Sequence, residues 1–325
     1  KLEPAVQNYE WGVRGGGQSS LVARMANAQV AEEKPFAELW MGTHPKAPSV
    51  VLEDGWSGMV LGEFLRLNEV FMGSKAGMFG GDLPYLFKCL SVAKALSIQA
   101  HPDKTLAKLL HARDKPNYPD DNHKPELACA VTEFEGLCGF RKLDEIVENV
   151  GAVPELKELI GQDTVKLMES SLDKDAQSRA EALKQAFNMV MSSPEDRVKH
   201  QASKMVDRLK SSQKLRDVEE LVLRINEQFP LDVGLFNIFF LNHVKLRPGQ
   251  ALFLGPNLPH AYLSGDCMEI MATSDNVVRA GFTPKFKDVA TLCSMLDYER
   301  SGPAEIMEGE AREGMRVYAP PGHDF

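Results

Sequence analysis

The chain has 325 residues, of which 43% are hydrophobic and 26% charged, as in a globular enzyme large enough for two or three domains. Its formal net charge of −9 argues against nucleic acid or an anionic membrane as the main partner, so an anionic substrate needs a local basic cluster. The sequence predicts no membrane-spanning segment and no secretion signal. Its five cysteines form no CxxC pair, which favours reduced, buried thiols in a cytoplasmic protein over cysteine ligation of a metal.

The first 143 residues consist mostly of short apolar runs bounded by Gly, Pro and Asp, a pattern typical of β-strands. Strands are predicted over residues 38–42, 49–52, 83–90 and 127–131. Short helices are predicted over 61–67 and 104–112. The three glycines at 15–17 are interpreted as a plain loop, because they follow no predicted strand and fit no phosphate-binding fingerprint.

Residues 96–102 combine a strand pattern with unusual polar groups. Because side chains alternate between the two faces of a strand, Ser97, Gln99 and His101 are predicted to share one face, with Leu96, Ile98 and Ala100 on the other. An amide oxygen and an imidazole on one strand face are unusual for a core. We therefore expect this strand to carry part of a functional site.

Residues 144–228 change character and are rich in Glu, Lys, Gln, Ala, Leu and Met, which favour helices. Apolar residues recur at helical spacing, for example between Leu183 and Met191. Ser193 followed by Pro194 and two acids predicts a helix start, with Ser193 as the cap and Pro194 in the first turn. The apolar stripes indicate the core of a small helical domain rather than a surface for a partner.

After residue 228 the strand pattern returns. Residues 234–246 are predicted to be rich in strand, followed by a turn at 247–250, a strand at 251–254 and a further strand at 266–272. His260 follows a loop rich in Gly and Pro, an arrangement typical of an antiparallel barrel that presents a histidine inward. The order of strands, helices and strands predicts a helical segment inserted into a β domain.

Four residues from three segments form a candidate metal site: Gln99, His101, Glu126 and His260. Two imidazoles, a carboxylate and an amide oxygen suit zinc, with an open position for water or substrate. An isolated histidine on a strand is more often satisfied by a hydrogen bond, so that alternative stays open for His101. The rigid loop before His260 favours the metal, because a buried histidine there needs a partner.

Four cations, Lys88, Lys124, Arg279 and Lys285, lie in apolar segments or near the candidate metal ligands. Such cations either pair with acidic side chains or bind an anionic ligand. Each residue taken alone is best interpreted as exposed or ion-paired, whereas together they indicate a phosphate pocket beside the metal. Trp11 is more typical of a core residue, with the wall of a sugar site as the alternative.

Six segments carry a resemblance to a known family: 7–12 (QNYEWG), 37–45 (AELWMGTHP), 96–104, 122–126 (NHKPE), 259–263 (PHAYL) and 274–285. They occur in order over nearly the whole chain, and together they resemble type I phosphomannose isomerases.

The resemblance implies a mainly β, jelly-roll-like cupin fold with an inserted helical domain. It implies a catalytic cupin domain over 1–143 and 229–312, a helical domain over 144–228, and a linker or the start of a second cupin barrel over 313–325. That second barrel, roughly a hundred residues or one ordinary domain, is expected to be otherwise absent from this chain.

The resemblance also implies residue roles. The four candidate ligands are expected to hold one Zn²⁺ per chain, with Arg279 as the active-site arginine. Substrate or phosphate contacts are implied for Ser97, Lys285, Lys88, Trp11 and Tyr262. Acid–base roles are implied for Lys124, His123, Asp275 and Glu269, of which Glu269 is preferred as the proton carrier.

The implied reaction interconverts mannose 6-phosphate and fructose 6-phosphate through a cis-enediol, supplying mannose for GDP-mannose and glycan synthesis. The protein is expected to act as a cytoplasmic monomer on a sugar phosphate, with no nucleic acid or membrane partner.

Two other functions stay open. A cupin dioxygenase with Fe(II) would consume dioxygen, contain iron and have no need of Arg279 or Lys285. A non-catalytic sugar-phosphate-binding module is the second alternative, if a further barrel is required for turnover. A coupled assay for fructose 6-phosphate, with metal analysis on the same sample, separates the three.

Overall fold

The computed structural model describes residues 1–14, 20–26, 34–75 and 77–320. The strands, in chain order, are β1 Leu2–Glu3, β2 Ala5–Gln7, β3 Val13–Arg14, β4 Pro35–Phe36, β5 Glu38–Met41, β6 Val50–Val51, β7 Tyr85–Val92, β8 Ile98–Ala100, β9 Glu126–Ala130, β10 Phe134–Phe140, β11 Leu241–Leu246, β12 Ala251–Leu254, β13 His260–Ala272, β14 Val278–Gly281, β15 Ile306–Met307, β16 Glu310–Arg312 and β17 Met315–Val317.

The α-helices are α1 Leu21–Met25, α2 Leu61–Leu67, α3 Lys104–Arg113, α4 Leu143–Ala152, α5 Pro154–Ile160, α6 Gln162–Ser171, α7 Ala176–Met191, α8 Glu195–Lys210, α9 Asp217–Gln228, α10 Gly234–Asn237 and α11 Val289–Met295, and a kinked 3₁₀ segment covers Glu69–Lys75. Within the described ranges, no helix is long and apolar enough to cross a membrane. The glycines at 15–17 and the last five residues of the chain lie outside the described residues.

The 13-residue strand β13 organises the largest sheet. Among the described strands, eleven belong to this sheet, and its longest path runs β15–β12–β9–β13–β7–β5–β2. The first part of β13 pairs with β10 and β8, and its second part lies between β7 and β9, always antiparallel. One long strand therefore aligns segments from both ends of the sequence, and this alignment assembles the candidate site.

The short strand β8 separates two environments. Ile98 and Ala100 are fully buried in a core that also contains Phe140 and Phe187, so one face of β8 packs towards the helices. Gln99 lies on the opposite face, as predicted, and is half-buried. The strand begins at Ile98, so the predicted alternation does not extend to Leu96, which packs against a second core cluster formed within the sheet.

The helices α4 to α9 follow one another without an intervening strand, as the composition predicted. Their apolar faces share one core with Phe236, Phe239 and Phe240, which follow the helices in sequence. Ser193 does not cap α8; its hydroxyl donates to the Met189 carbonyl of the preceding helix, 2.8 Å away. Pro194 takes the cap position, and the two acids occupy the first turn as predicted.

Residues 234–240 differ from the strand prediction. They form the short helix α10 and a following turn, and the strand β11 begins only at Leu241. Leu235 and Phe236 are fully buried, and a short apolar run buried on all sides carries no periodicity that separates helix from strand. Helices α1, α2, α3 and α11 also accompany the strands, so the fold is mixed α/β with an antiparallel sheet and a helical insertion, not mainly β.

Candidate metal centre

Three predicted ligands meet at one point of the sheet. His101 follows β8, Glu126 begins β9 and His260 begins β13, and their ligand atoms all lie within 4.8 Å of one another. His101 Nε2 is 3.3 Å from Glu126 Oε1, and His260 Nε2 is 3.4 Å from Glu126 Oε2. All three side chains are buried, so the protein rather than solvent determines their surroundings.

Both histidines are held by their Nδ1 atoms. His101 Nδ1 lies 2.7 Å from the Asn276 carbonyl oxygen, and His260 Nδ1 lies 2.9 Å from the Leu258 carbonyl oxygen. A carbonyl only accepts, so each Nδ1 carries a hydrogen, and Nε2 is the ring atom left to bind a metal. Within the described residues, neither Nε2 has a hydrogen-bond partner. Two imidazoles that present such Nε2 atoms to one buried carboxylate form a donor set that fits a divalent metal such as zinc.

The protonation states also fit a metal. Burial lowers the pKa of His101 to about 4, although Glu126 opposes the shift, so this ring is neutral at pH 7. Burial acts to raise the pKa of Glu126, but Lys124 and His101 outweigh it and hold that pKa well below its ordinary value. Lys124 Nζ lies 3.2 Å from Glu126 Oε1. Neutral imidazoles and an ionised carboxylate are the forms that bind a metal.

Gln99 and Arg279 lie beside the three residues. Gln99, the predicted fourth ligand, is in register with His260 on β13 and with Arg279 on β14, so it lies between these two residues in the sheet. Arg279 is half-buried, and no ion pair of its side chain occurs among the described residues. Burial lowers the pKa of Arg279, but a guanidinium remains charged at neutral pH. An unpaired cation next to the metal candidate is a natural contact for an anionic group.

Lys88 lies between two buried carboxylates. Its Nζ is 3.1 Å from Glu269 Oε2 and 3.5 Å from Glu38 Oε2, and Lys88 stands opposite Glu269 in the β7–β13 register. Burial acts to lower the pKa of Lys88, but the two carboxylates outweigh it and raise the pKa above its ordinary value. Burial raises the pKa of Glu269, with Lys88 opposing. The raised pKa of Glu269 therefore suits a group that holds or releases a proton.

Tyr262 and Trp40 complete that buried group. The Tyr262 hydroxyl donates to Glu269 Oε1 at 2.8 Å, and the Trp40 indole N–H donates to Glu38. The Lys88 ammonium lies 5.3 Å from the centre of the Trp40 ring, a cation–π distance. Each carboxylate is thus oriented by an aromatic donor as well as by Lys88.

Asp275 is held by two basic groups. His44 Nε2 lies 3.6 Å from Asp275 Oδ1, and Lys46 Nζ lies 2.7 Å from Asp275 Oδ2. The His44 contact, followed by Lys46, keeps the pKa of Asp275 well below its ordinary value although burial opposes the shift. Asp275 is therefore an ionised carboxylate at neutral pH.

The remaining predicted residues have varied surroundings. Ser97 Oγ lies 3.4 Å from Gln99 Oε1, and His123 is half-buried shortly before Glu126. Trp11 stacks on Tyr9 with ring centres 5.9 Å apart and packs against the core cluster that contains Tyr262. Lys285 is exposed in the segment after β14. The structure thus gathers the ligands, Lys88, Lys124 and Glu269 closely, and leaves Lys285 at the surface.

Sequence reasoning missed four polar residues around the site: Glu38, His44, Asp120 and Asn276. Glu38 and His44 lie in the 37–45 segment, where an acid in an otherwise apolar strand and a histidine before Pro45 were available signals. Asp120 and Asn276 lie in loops, where a polar residue is ordinary and no local pattern distinguishes them.

A buried His–Glu–His cluster on an antiparallel sheet, beside paired acids and cations, defines an enzyme that uses a metal and transfers protons. Two family models match the chain: "Phosphomannose isomerase type I, catalytic domain" over residues 1–143 and "Phosphomannose isomerase type I, helical insertion domain" over residues 159–241. The chain belongs to the type I phosphomannose isomerase family.

Individual relatives agree. Mannose-6-phosphate isomerase of Macaca fascicularis is 45% identical over 339 residues, covering 100% of this chain and 80% of the relative. A crystal structure of a mutant phosphomannose isomerase from Salmonella typhimurium has a TM-score of 0.82 at 32% identity, over 96% of this chain and 78% of that chain. A crystal structure of mannose 6-phosphate isomerase with zinc bound has a TM-score of 0.77 at 34% identity, over 92% of this chain and 74% of that chain.

Proposed function

We propose that this chain is a zinc-dependent aldose–ketose isomerase that interconverts mannose 6-phosphate and fructose 6-phosphate. The observation that carries the proposal is the pair of buried histidines whose Nε2 atoms face Glu126 and have no hydrogen-bond partner in the described part of the chain. The family membership and the zinc-bound relative support both the metal and the substrate. The product's expected use is the supply of mannose for GDP-mannose and glycan synthesis.

His101, Glu126 and His260 are the proposed protein ligands, and Gln99 is the proposed fourth because it lies in register beside His260. When bound, zinc acts as a Lewis acid that stabilises negative charge developing on the sugar oxygens. The Asn276 and Leu258 carbonyls keep the two imidazoles in the tautomer that presents Nε2.

The proton transfer is assigned to the carboxylates. Moving the carbonyl between C1 and C2 requires one carbon to lose a proton and the other to gain one, through a cis-enediol. Glu269 is the preferred carrier, because burial raises its pKa towards the range useful for a general acid–base. Tyr262 and Lys88 orient it. Lys124, His123 and Asp275 are the other candidates, although the depressed pKa of Asp275 makes it a weaker base than Glu269.

Arg279 is proposed to stabilise the enediolate or the phosphate, since it is a half-buried cation with no acidic partner within the described residues. Ser97 and Lys285 are proposed phosphate contacts, and Trp11 and Tyr262 proposed walls of the sugar site. The two ion pairs of Lys88 favour a charge-balancing role over direct phosphate contact. Phosphate contacts, which are remote from the reacting carbons, orient C1 and C2 relative to the catalytic groups.

We further propose that the sheet closes into a cupin-type jelly-roll barrel, because β13 pairs antiparallel with four neighbours and carries a metal ligand at its start. The proposed catalytic domain covers 1–143 and 229–312, with the helical domain at 144–228 and a connection to a second barrel at 313–325. All five cysteines are unpaired, which supports a cytoplasmic location, and a monomeric state is proposed as well.

The test combines activity with metal content. Wild-type protein is expected to produce fructose 6-phosphate in a coupled assay and to contain one zinc per chain. His101→Ala is expected to lose both, whereas His200→Ala, an exposed histidine on α8, is expected to retain both. Full activity and zinc content in His101→Ala would contradict the proposal. Iron and dioxygen consumption in place of isomerisation would favour the dioxygenase alternative.

A further inference from the structure

The carboxylate of Asp120, in the loop between α3 and β9, joins two distant segments of the chain. Its Oδ1 accepts hydrogen bonds from Ser274 Oγ at 2.7 Å and from Asn276 Nδ2 at 3.2 Å. Its Oδ2 accepts from the backbone N–H of Asp275 at 2.7 Å. The Asn122 backbone N–H, 3.0 Å away, adds a local contact to Oδ1. One carboxylate therefore anchors three consecutive residues between β13 and β14.

Asn276 extends this anchor to the metal centre. It is 0% exposed, and its Nδ2 also donates to the carbonyls of Asp120 and Asn122, at 2.8 and 2.9 Å. Its own carbonyl oxygen is the atom that accepts the hydrogen bond from His101 Nδ1 at 2.7 Å. The Asn276 backbone therefore lies directly between the Asp120 anchor and a candidate zinc ligand.

Asp275 is fixed from two sides. Asp120 holds its backbone, and His44 and Lys46 hold its carboxylate. Because the side chain is already oriented by other groups, the contribution of Asp120 is to place the backbone from which that side chain extends. The contacts of Asp120 therefore place the Asp275 carboxylate and orient the His101 ring at the same time.

We infer that Asp120 is a positioning residue, which sets the geometry of the metal centre and of Asp275 without contacting metal or substrate. The inference rests on the proposed function, since it requires zinc at His101, Glu126 and His260. Four hydrogen bonds converge on the Asp120 carboxylate from Asn122 and from residues 274–276, so the anchor restrains both loops. Outer contacts that orient a metal-bound histidine typically change metal affinity by roughly 10- to 100-fold.

The experiment compares two neighbouring charge-removing variants. Asp120→Asn keeps the side-chain volume, but it replaces one accepting oxygen by an amide N–H that faces a hydrogen-bond donor. Asp121→Asn is the matched control, because Asp121 is exposed and its side chain makes no hydrogen bond within the described residues. Zinc affinity is measured by competition with a chromophoric chelator, the unfolding midpoint of the metal-free protein is measured in parallel, and kcat and KM are measured with mannose 6-phosphate.

Asp120→Asn is expected to weaken zinc binding by about 10-fold or more and to lower kcat, with Asp121→Asn within about two-fold of wild type. Unchanged zinc affinity in Asp120→Asn, with only a lower unfolding midpoint, overturns the inference and leaves the proposed function standing. A wild-type protein that binds no zinc overturns both. If Asp120→Asn does not fold, Asp120→Ser decides in its place: weaker zinc binding supports the inference, and wild-type affinity overturns it.

Discussion

Glu135 on β10 connects the helices to the sheet through a partly buried cluster of charges. Its Oε2 lies 2.7 Å from Arg224 on α9 and 3.1 Å from Ser264 Oγ on β13, and its Oε1 pairs with His243 on β11. Burial acts to raise the pKa of Glu135, but the hydrogen bonds from His243 and Arg224 outweigh it and lower the pKa to about 2. Replacing this carboxylate by the isosteric amide in Glu135→Gln tests the contribution of the cluster.

The magnitude follows from the pKa. Lowering it from 4.5 to about 2 corresponds to about 3 kcal/mol of stability at neutral pH, at ~1.4 kcal/mol per pKa unit. The Arg224 side chain is 47% exposed, so solvent screening reduces the expected loss in Glu135→Gln to about 2 kcal/mol. Because the folded-state pKa is depressed, this stability is present above pH 4.5 and is lost as the pH falls towards about 2.

Urea unfolding of metal-free wild-type and variant proteins between pH 7 and pH 3.5 measures this difference. The gap in unfolding free energy is expected to be largest near neutral pH and to narrow below pH 4.5. Glu133→Gln is the matched control, because Glu133 is exposed just before the same strand. A Glu135→Gln protein as stable as Glu133→Gln, or a gap that stays constant as the pH falls, would refute the reasoning.

Two further predictions concern the site. Lys88→Met removes the cation between Glu38 and Glu269 and is expected to lower the unfolding free energy by about 3–5 kcal/mol, because two buried acids lose their counter-charge. Lys108→Met, at an exposed position on α3, is the control in the same denaturant titration, and equal losses in the two variants would contradict the prediction. Removing metal with a chelator is expected to abolish isomerase activity, and adding zinc at about 1,000 times its Kd is expected to restore it and to raise the unfolding free energy by about 4 kcal/mol; recovery with Fe(II) but not zinc would count against the assigned metal.

Local patterns predicted much of the fold. Helix α2 has the predicted bounds, and α3 differs from its prediction by one residue, because spacing of apolar residues and capping groups act within a few turns. Composition predicted the α4–α9 run for the same reason. Ser193 shows the limit of such patterns: the sequence predicts that it caps α8, but in the structure its hydroxyl bonds to Met189 on the preceding helix α7.

The ligand candidates His101, Glu126 and His260 were also available from sequence, since residue type restricts metal chemistry to few side chains and the motifs matched a family. That these three side chains converge was not derivable from their spacing in the sequence, because it depends on β13 pairing with both β8 and β9. The ring orientation that turns each Nε2 towards Glu126 was not derivable from sequence either, since it depends on the Asn276 and Leu258 carbonyls.

The order of residues thus determined which segments become helix or strand and which side chains are able to hold a metal, because both depend on properties of short stretches. Only the tertiary structure decided that residues 234–240 form a short buried helix and a turn, that Lys88 lies between Glu38 and Glu269, and that Asp120 anchors Asn276. Those outcomes arise from burial and charge pairing between segments far apart in sequence, which only the folded chain brings within a few ångströms of one another.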